Sequence, residues 1–171
     1  MKSPQSPVKV NIRTARRADV ERLLAIENTA FAANRLSARS FRRLIGRRTA
    51  DVLVAECGEA IAGYALVLFR GRSSSARLYS IAVAPEFAGC GIGKRLLADA
   101  ESAAMRRGCS VLRLEVDERN RRALMIYDWA GYTEASRVSD YYEDGGAALR
   151  LHKKLASPAQ PTPRHISNKA R

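Results

Sequence analysis

Residues 8–13 alternate apolar and polar side chains, the period of a half-buried strand. Helix-starting residues from Thr14 to Asp19 follow, and Val20, Leu23, Leu24 and Ala30 then mark one helical face. Ser37 is placed to cap a second helix that turns Phe41, Leu44 and Ile45 inward and Arg39, Arg42, Arg43, Arg47 and Arg48 outward, a solvated face. Two β-rich runs, 51–57 and 61–69, flank Gly58-Glu59-Ala60 and read as a hairpin. A basic loop over 70–75 leads to a buried strand, 78–83, which enters a stretch containing Gly89, Gly91 and Gly93. Beyond it, Leu96, Leu97, Ala100 and Ala104 are helical in spacing, and Gly108 stops that helix after Arg106 and Arg107. A strand over 111–116 and a helix over 120–130, with Ala123, Leu124 and Tyr127 on one face, come next. Strands over 132–139 and 147–155 close the pattern.

Strand, helix, strand and helix around the glycines predict a partly parallel sheet, and hairpins at both ends make it mixed. The expectation is an α/β domain over residues 8–155 with a central sheet of about seven strands and about four helices, a count that rests on pattern alone. The flanks, 1–7 and 156–171, are expected to be disordered, the second being basic and holding three prolines.

Composition narrows the function classes. With 171 residues and 46% hydrophobic content, the chain can bury a core without staples. Cys57, Cys90 and Cys109 are odd in number with no CxxC pair, and there are two histidines, so neither a disulfide framework nor a metal site is expected. A reduced, cytoplasmic setting fits that usage, and no apolar run reaches the length of a membrane span. Net charge is +13, and setting aside the five cationic residues of 1–9 and 156–171 leaves +8 on the core. Such a field attracts coenzyme phosphates, an acidic protein or RNA, and disfavours polyamines and lysine-rich tails.

The stretch from Ser80 to Leu97 is a strand, a glycine loop and a helix start, which together build a phosphate cradle from bare N–H groups and a helix dipole. A plain glycine turn is the simpler alternative for any such cluster. A Walker A loop is excluded because Lys94 is followed by Arg95 rather than Ser or Thr, and the Rossmann fingerprint because its third glycine and acidic ribose ligand are missing. Glu115 lies within the β-like run 112–116, placed either as a general base or as an edge carboxylate paired with an arginine such as Arg113. Tyr127 is either a core aromatic or a proton donor.

Gly91-Ile92-Gly93, with Asn120, Ala123, Tyr127 and Gly131-Tyr132 at their spacing behind Glu115, resembles the GNAT superfamily of acetyl-CoA-dependent N-acyltransferases, and most closely its ribosomal-protein alanine N-acetyltransferase (RimI-type) branch. Ala88 stands where that family carries Arg or Gln, which leaves the pyrophosphate to backbone N–H groups and the helix dipole. The resemblance implies acetyl-CoA as co-substrate and no metal. Ile81, Ala82 and Val83 would lie along the pantetheine arm, and Gly89, Cys90, Gly91, Ile92, Gly93 and Lys94 around the pyrophosphate, with Asn120 also touching the coenzyme. It makes Glu115 the general base and Tyr127 the general acid. The implied acceptor is a protein or peptide α-amine, ribosomal proteins included. Acetylation of a small amine, or a non-catalytic acyl-CoA-responsive or RNA-binding module, are the alternatives. The glutamate and tyrosine argue against a pure binding module, so RNA contact is not favoured.

Two segments bear on the acceptor. Asn34-Arg35-Leu36-Ser37 replaces the Pro-Trp-Ser-like segment usual in that branch. Tyr141-Tyr142-Glu143-Asp144 resembles its tyrosine-containing substrate loop, or is an ordinary acidic hairpin loop. Cys90, near a helix start, is either a reactive thiol or a passive loop residue.

Overall fold

Strand β1 (Val10–Thr14) is followed by helices α1 (Val20–Ala30) and α2 (Ala38–Leu44), then by β2 (Ala50–Cys57), β3 (Ala60–Phe69) and β4 (Ser75–Val83). Helix α3 (Ile92–Arg106), β5 (Val111–Asp117), α4 (Arg121–Trp129), β6 (Thr133–Val138) and β7 (Ala148–Lys154) follow among the described residues. This computed structural model describes residues 9–156, so the expectations for 1–7 and, apart from Ala156, for 156–171 lie outside the described residues. All seven strands form one sheet in the order β1-β2-β3-β4-β5-β7-β6. Only β4 and β5 run parallel; every other neighbouring pair is antiparallel. The mixed, partly parallel sheet and its four helices agree with expectation. The insertion of β7 between β5 and β6 is a placement that pattern alone left open.

Both faces of the central strands are covered, which is why β2 and β3 read as near-continuous apolar runs. On one face Leu53, Ala65, Val67 and Leu112 meet Ile92, Leu96, Leu97 and Ala100 of α3 and Tyr127 of α4. On the other, Val52, Val54, Tyr64 and Leu66 meet Val20, Leu23 and Ile26 of α1 and Phe41 of α2. The α1 stripe therefore differs from the one expected: Ile26 and Glu27 are buried, whereas Ala30 is exposed. Glycine is required at Gly63, where a Cβ would lie 2.7 Å from the Ala82 carbonyl oxygen and 3.1 Å from Leu96 Cδ1. That close approach seats α3 directly over the end of β4.

Candidate active site

The site begins where the sheet divides. β4 and β5 pair only at Ser75–Val111, Ala76–Leu112 and Arg77–Arg113. Immediately afterwards the β3–β4 register slips, leaving Tyr79 as an extra residue on β4. A bulge of one residue bends its strand and exchanges its faces. Accordingly Ala76 and Leu78 point toward α3, but beyond the bulge Ile81 and Val83 take that side and Ala82 turns toward α1. The Ala84 N–H donates to the Ala62 carbonyl at 2.8 Å. Because antiparallel pairs alternate between bonded and non-bonded, Ala82 spends its backbone groups on β3, while those of Ile81 and Val83 point into the gap between β4 and β5. The sheet thus opens a slot edged by unpaired amides.

At the wide end of the slot lies the glycine loop. Gly89 and Gly91 hold φ of +80° and +75°, a left-handed backbone that disfavours other residues. Gly93 has no such constraint; a Cβ there would make ordinary contact with Val83 and Ile126. Among the described residues, the N–H groups of Gly89, Gly91, Ile92, Gly93 and Lys94 donate to no backbone acceptor. They lie at and just before the positive, N-terminal end of the 15-residue α3. An elongated anionic thioester such as acetyl-CoA fits this combination: amide donors for a pyrophosphate, then a strand edge for an amide-bearing arm. The Lys94 side chain is turned elsewhere, with Nζ 4.1 Å from the centre of the Trp129 ring. Cys90 is exposed.

Glu115 lies across the slot on β5. Leu112, Leu114 and Val116 enter the α3-side core, so Glu115 projects from the opposite face. Its partner is Arg77 of β4, whose Nε lies 3.0 Å from Oε2, with Arg150 of β7 at 3.9 Å from Oε1. The arginine pairing considered from the sequence is therefore present, but through Arg77 rather than Arg113. Tyr127 is 6% exposed and packs edge-on against Tyr132, ring centres 5.6 Å apart. Its hydroxyl makes no hydrogen bond among the described residues. Burial foremost, with Tyr142 nearby, pushes the Tyr127 phenol up to about 12. Asn120 caps α4, its Oδ1 accepting from the Ala123 N–H at 3.1 Å.

The loop between β6 and β7 closes over this region. Arg119 bridges Asp117 at 2.6 Å and Asp144 at 2.9 Å, tying the loop to the end of β5. Burial, followed by the charges of Asp117, Tyr141 and Glu115, pushes the Tyr142 phenol up to about 12. The expected substrate loop and the two catalytic candidates therefore share one locale.

Sequence reasoning missed Arg77, and it missed a buried network behind the slot. Glu27 of α1 is 2% exposed and accepts from the Leu36 N–H at 2.8 Å and from the Tyr64 hydroxyl. Tyr64 also lies 2.7 Å from Ser80 Oγ on β4. The signal was present: Glu27 stands four residues after Leu23, an acid on an apolar helical stripe.

Comparison with known proteins agrees with this fold. A central sheet split between its parallel strands, with an amide-lined loop opening a helix, defines an acyl-CoA-binding α/β fold. Residues 17–132 match the Acetyltransferase (GNAT) family, and the chain belongs to it. It is similar to the solved ribosomal-protein-S18-alanine N-acetyltransferase of Escherichia coli, with a TM-score of 0.78 and 25% identity over 90% of this chain and 98% of that one. It also resembles a ribosomal-protein-alanine N-acetyltransferase of Brucella melitensis, with a TM-score of 0.75 and 28% identity over 85% and 99% of the two chains. Among curated sequences, N-alpha-acetyltransferase MAK3 of Arabidopsis thaliana is 33% identical over 47% of this chain and 43% of its own length. The chain spans about half or less of the curated relatives it matches.

Proposed function

We propose that the chain is an acetyl-CoA-dependent N-acetyltransferase that acts on the α-amine of a protein or peptide by direct transfer. The split between β4 and β5 supports this reading: the amides of Ile81 and Val83 edge the gap, Glu115 stands on β5 across it, and Tyr142 of the overlying loop lies near both Glu115 and Tyr127. Acetyl-CoA, when bound, supplies an activated thioester. The Val83 N–H, which points into the gap, would then donate to the thioester carbonyl oxygen, where negative charge would develop. Glu115, directly or through one water, takes the proton that leaves the amine. Arg77 holds that carboxylate on the acceptor face of the sheet. The Tyr127 phenol is protonated at neutral pH, as an ordinary phenol is, and burial pushes it up further, so it would meet the departing thiolate as a hydrogen-bond donor.

An α-amine suits this base because its unperturbed pKa of about 8 leaves an appreciable neutral fraction near pH 7, whereas a lysine at about 10.4 leaves very little. The similarity to two ribosomal-protein-alanine enzymes and to an N-alpha-acetyltransferase supports the same acceptor class. The experiment is transfer of labelled acetyl from acetyl-CoA into a cell extract, separated into proteins and small molecules, with Glu115→Gln as control. Label in a protein that the variant fails to modify supports the reading. Label confined to small molecules overturns the acceptor and keeps the chemistry.

A further inference from the structure

The face of the sheet that bears Glu115 continues past it in both directions. Arg77 stacks on Tyr79, the bulged residue of β4, with its guanidinium carbon 5.3 Å from the ring centre. Tyr79 in turn lines a pocket of about 360 Å³ that lies between the α1–α2 segment, α2 and strands β3 and β4. Leu36, Leu66 and Leu68 form its apolar wall, and Arg35 and Arg43 bring two guanidinium groups to its lining. The pocket, Tyr79, Arg77 and Glu115 thus form one continuous path.

The charges along that path are unbalanced. Among the described residues, Arg35, Arg43, Arg113 and Lys154 make no ion pair. Neighbouring acids are already engaged: Glu115 by Arg77, Asp117 and Asp144 by Arg119, and Glu118 by Arg137. Glu27, behind the pocket, is buried and committed to Leu36 and Tyr64. Among the described residues, Asp140 and Glu143 remain as exposed acids of the overlying loop without an ion pair, both on the β6–β7 loop rather than in the pocket lining. Two unpaired guanidinium groups on a partly apolar pocket are complementary to a carboxylate on a short aliphatic stem.

We propose that this pocket receives an acidic side chain, Asp or Glu, at the second or third position of the acceptor peptide, held by Arg35 and Arg43. The inference rests on the peptide α-amine reading above and adds to it the class of peptide. Arg35 is already oriented, its Nη2 donating to the Ala32 carbonyl at 3.1 Å. Arg43 stands in the last turn of α2, which Ser37 caps at its other end.

The test compares peptides with the same first residue and Glu, Ala or Lys at positions two and three, read as kcat/KM with acetyl-CoA held saturating. The acidic peptide is expected to exceed the basic one by roughly tenfold or more, the worth of one charge-assisted contact. Arg35→Glu and Arg43→Glu should each reverse the order. Arg106→Glu, on the exposed last turn of α3, changes net charge equally and should preserve it. Thermal unfolding confirms that each variant is folded. Equal kcat/KM for all peptides, or an acidic preference that survives both arginine reversals, would overturn the proposal while sparing the peptide reading. Transfer to small amines with none to any peptide would remove the reading on which it rests. Inhibition by an RNA oligonucleotide that Arg43→Glu relieves, with no preference among peptides, would reassign the pocket to nucleic acid and overturn it too.

Discussion

Replacing Tyr64 with Phe removes one hydroxyl and leaves the ring, so its cost isolates the buried network behind the slot. The ring's edge-on contact with Phe41, 5.4 Å between centres and 85° between planes, is retained. What is lost is the donor to Glu27 and the partner of Ser80, at a site where Tyr64 is 0% and Glu27 is 2% exposed. Water cannot readily replace the lost donor, and a hydrogen bond to a charged group contributes about 1.5–3 kcal/mol. For a domain of this size each kcal/mol moves Tm by about 2–4 °C, so Tyr64→Phe should lower it by about 3–12 °C. A double-mutant cycle with Glu27→Gln, followed by thermal and urea unfolding, separates the pair from its surroundings. Tyr64→Phe should cost distinctly less in the Glu27→Gln background. Because Glu27 also holds Leu36, which lines the acceptor-side pocket, the single variant should raise KM for the acceptor more than KM for acetyl-CoA. An unchanged Tm, or an equal cost in both backgrounds, would refute the reasoning.

Further expectations follow from the slot and its surroundings. Gly91→Ala forces a Cβ onto a backbone with φ of +75° at a cost of about 1–2 kcal/mol, and should weaken coenzyme binding by calorimetry roughly tenfold; an unchanged Kd and Tm would contradict it. Tyr127→Phe should lower kcat by about 100-fold with KM for acetyl-CoA nearly unchanged, and undiminished turnover would remove Tyr127 from proton donation. The phenols of Tyr127 and Tyr142 are pushed up to about 12, chiefly by burial, from an ordinary 10.0. The folded chain keeps protons that the unfolded chain releases, so this stabilisation is full below pH 10 and is lost as pH rises toward 12. Urea midpoints measured at pH 8 and pH 11 should fall accordingly, and equal midpoints would count against the burial of these phenols.

The elements were legible where one physical signal dominated. Alternation and helical spacing located the strands and helices because both faces of β2 and β3 and one face of α3 are buried. The glycine loop was legible because left-handed backbone at Gly89 and Gly91 leaves glycine as the natural residue. Ranges slipped at the ends: β4 begins at Ser75 rather than at residue 78, and the first strand is described from Val10, the expected start at residue 8 lying outside the described residues. What sequence could not supply was register. Arg77 meets Glu115 only because β4 and β5 pair in parallel at Arg77 and Arg113, a relation between segments 36 residues apart. The bulge at Tyr79 was equally hidden, since one extra residue in an apolar run leaves no compositional mark. Lys94, expected beside the pyrophosphate, is drawn to the indole of Trp129, an attraction across two helices whose packing no local pattern encodes.

The central claim is that one slot activates an α-amine through Glu115. The most direct measurement is acetyl transfer by the purified 171-residue chain from labelled acetyl-CoA to two versions of one lysine-containing peptide, one with a free and one with a blocked N-terminus, with Glu115→Gln in parallel. The account predicts label on the α-amine of the free peptide alone, and a loss of about 100-fold or more in the variant at neutral pH. Equal labelling of the blocked peptide, or full activity in Glu115→Gln, would contradict it.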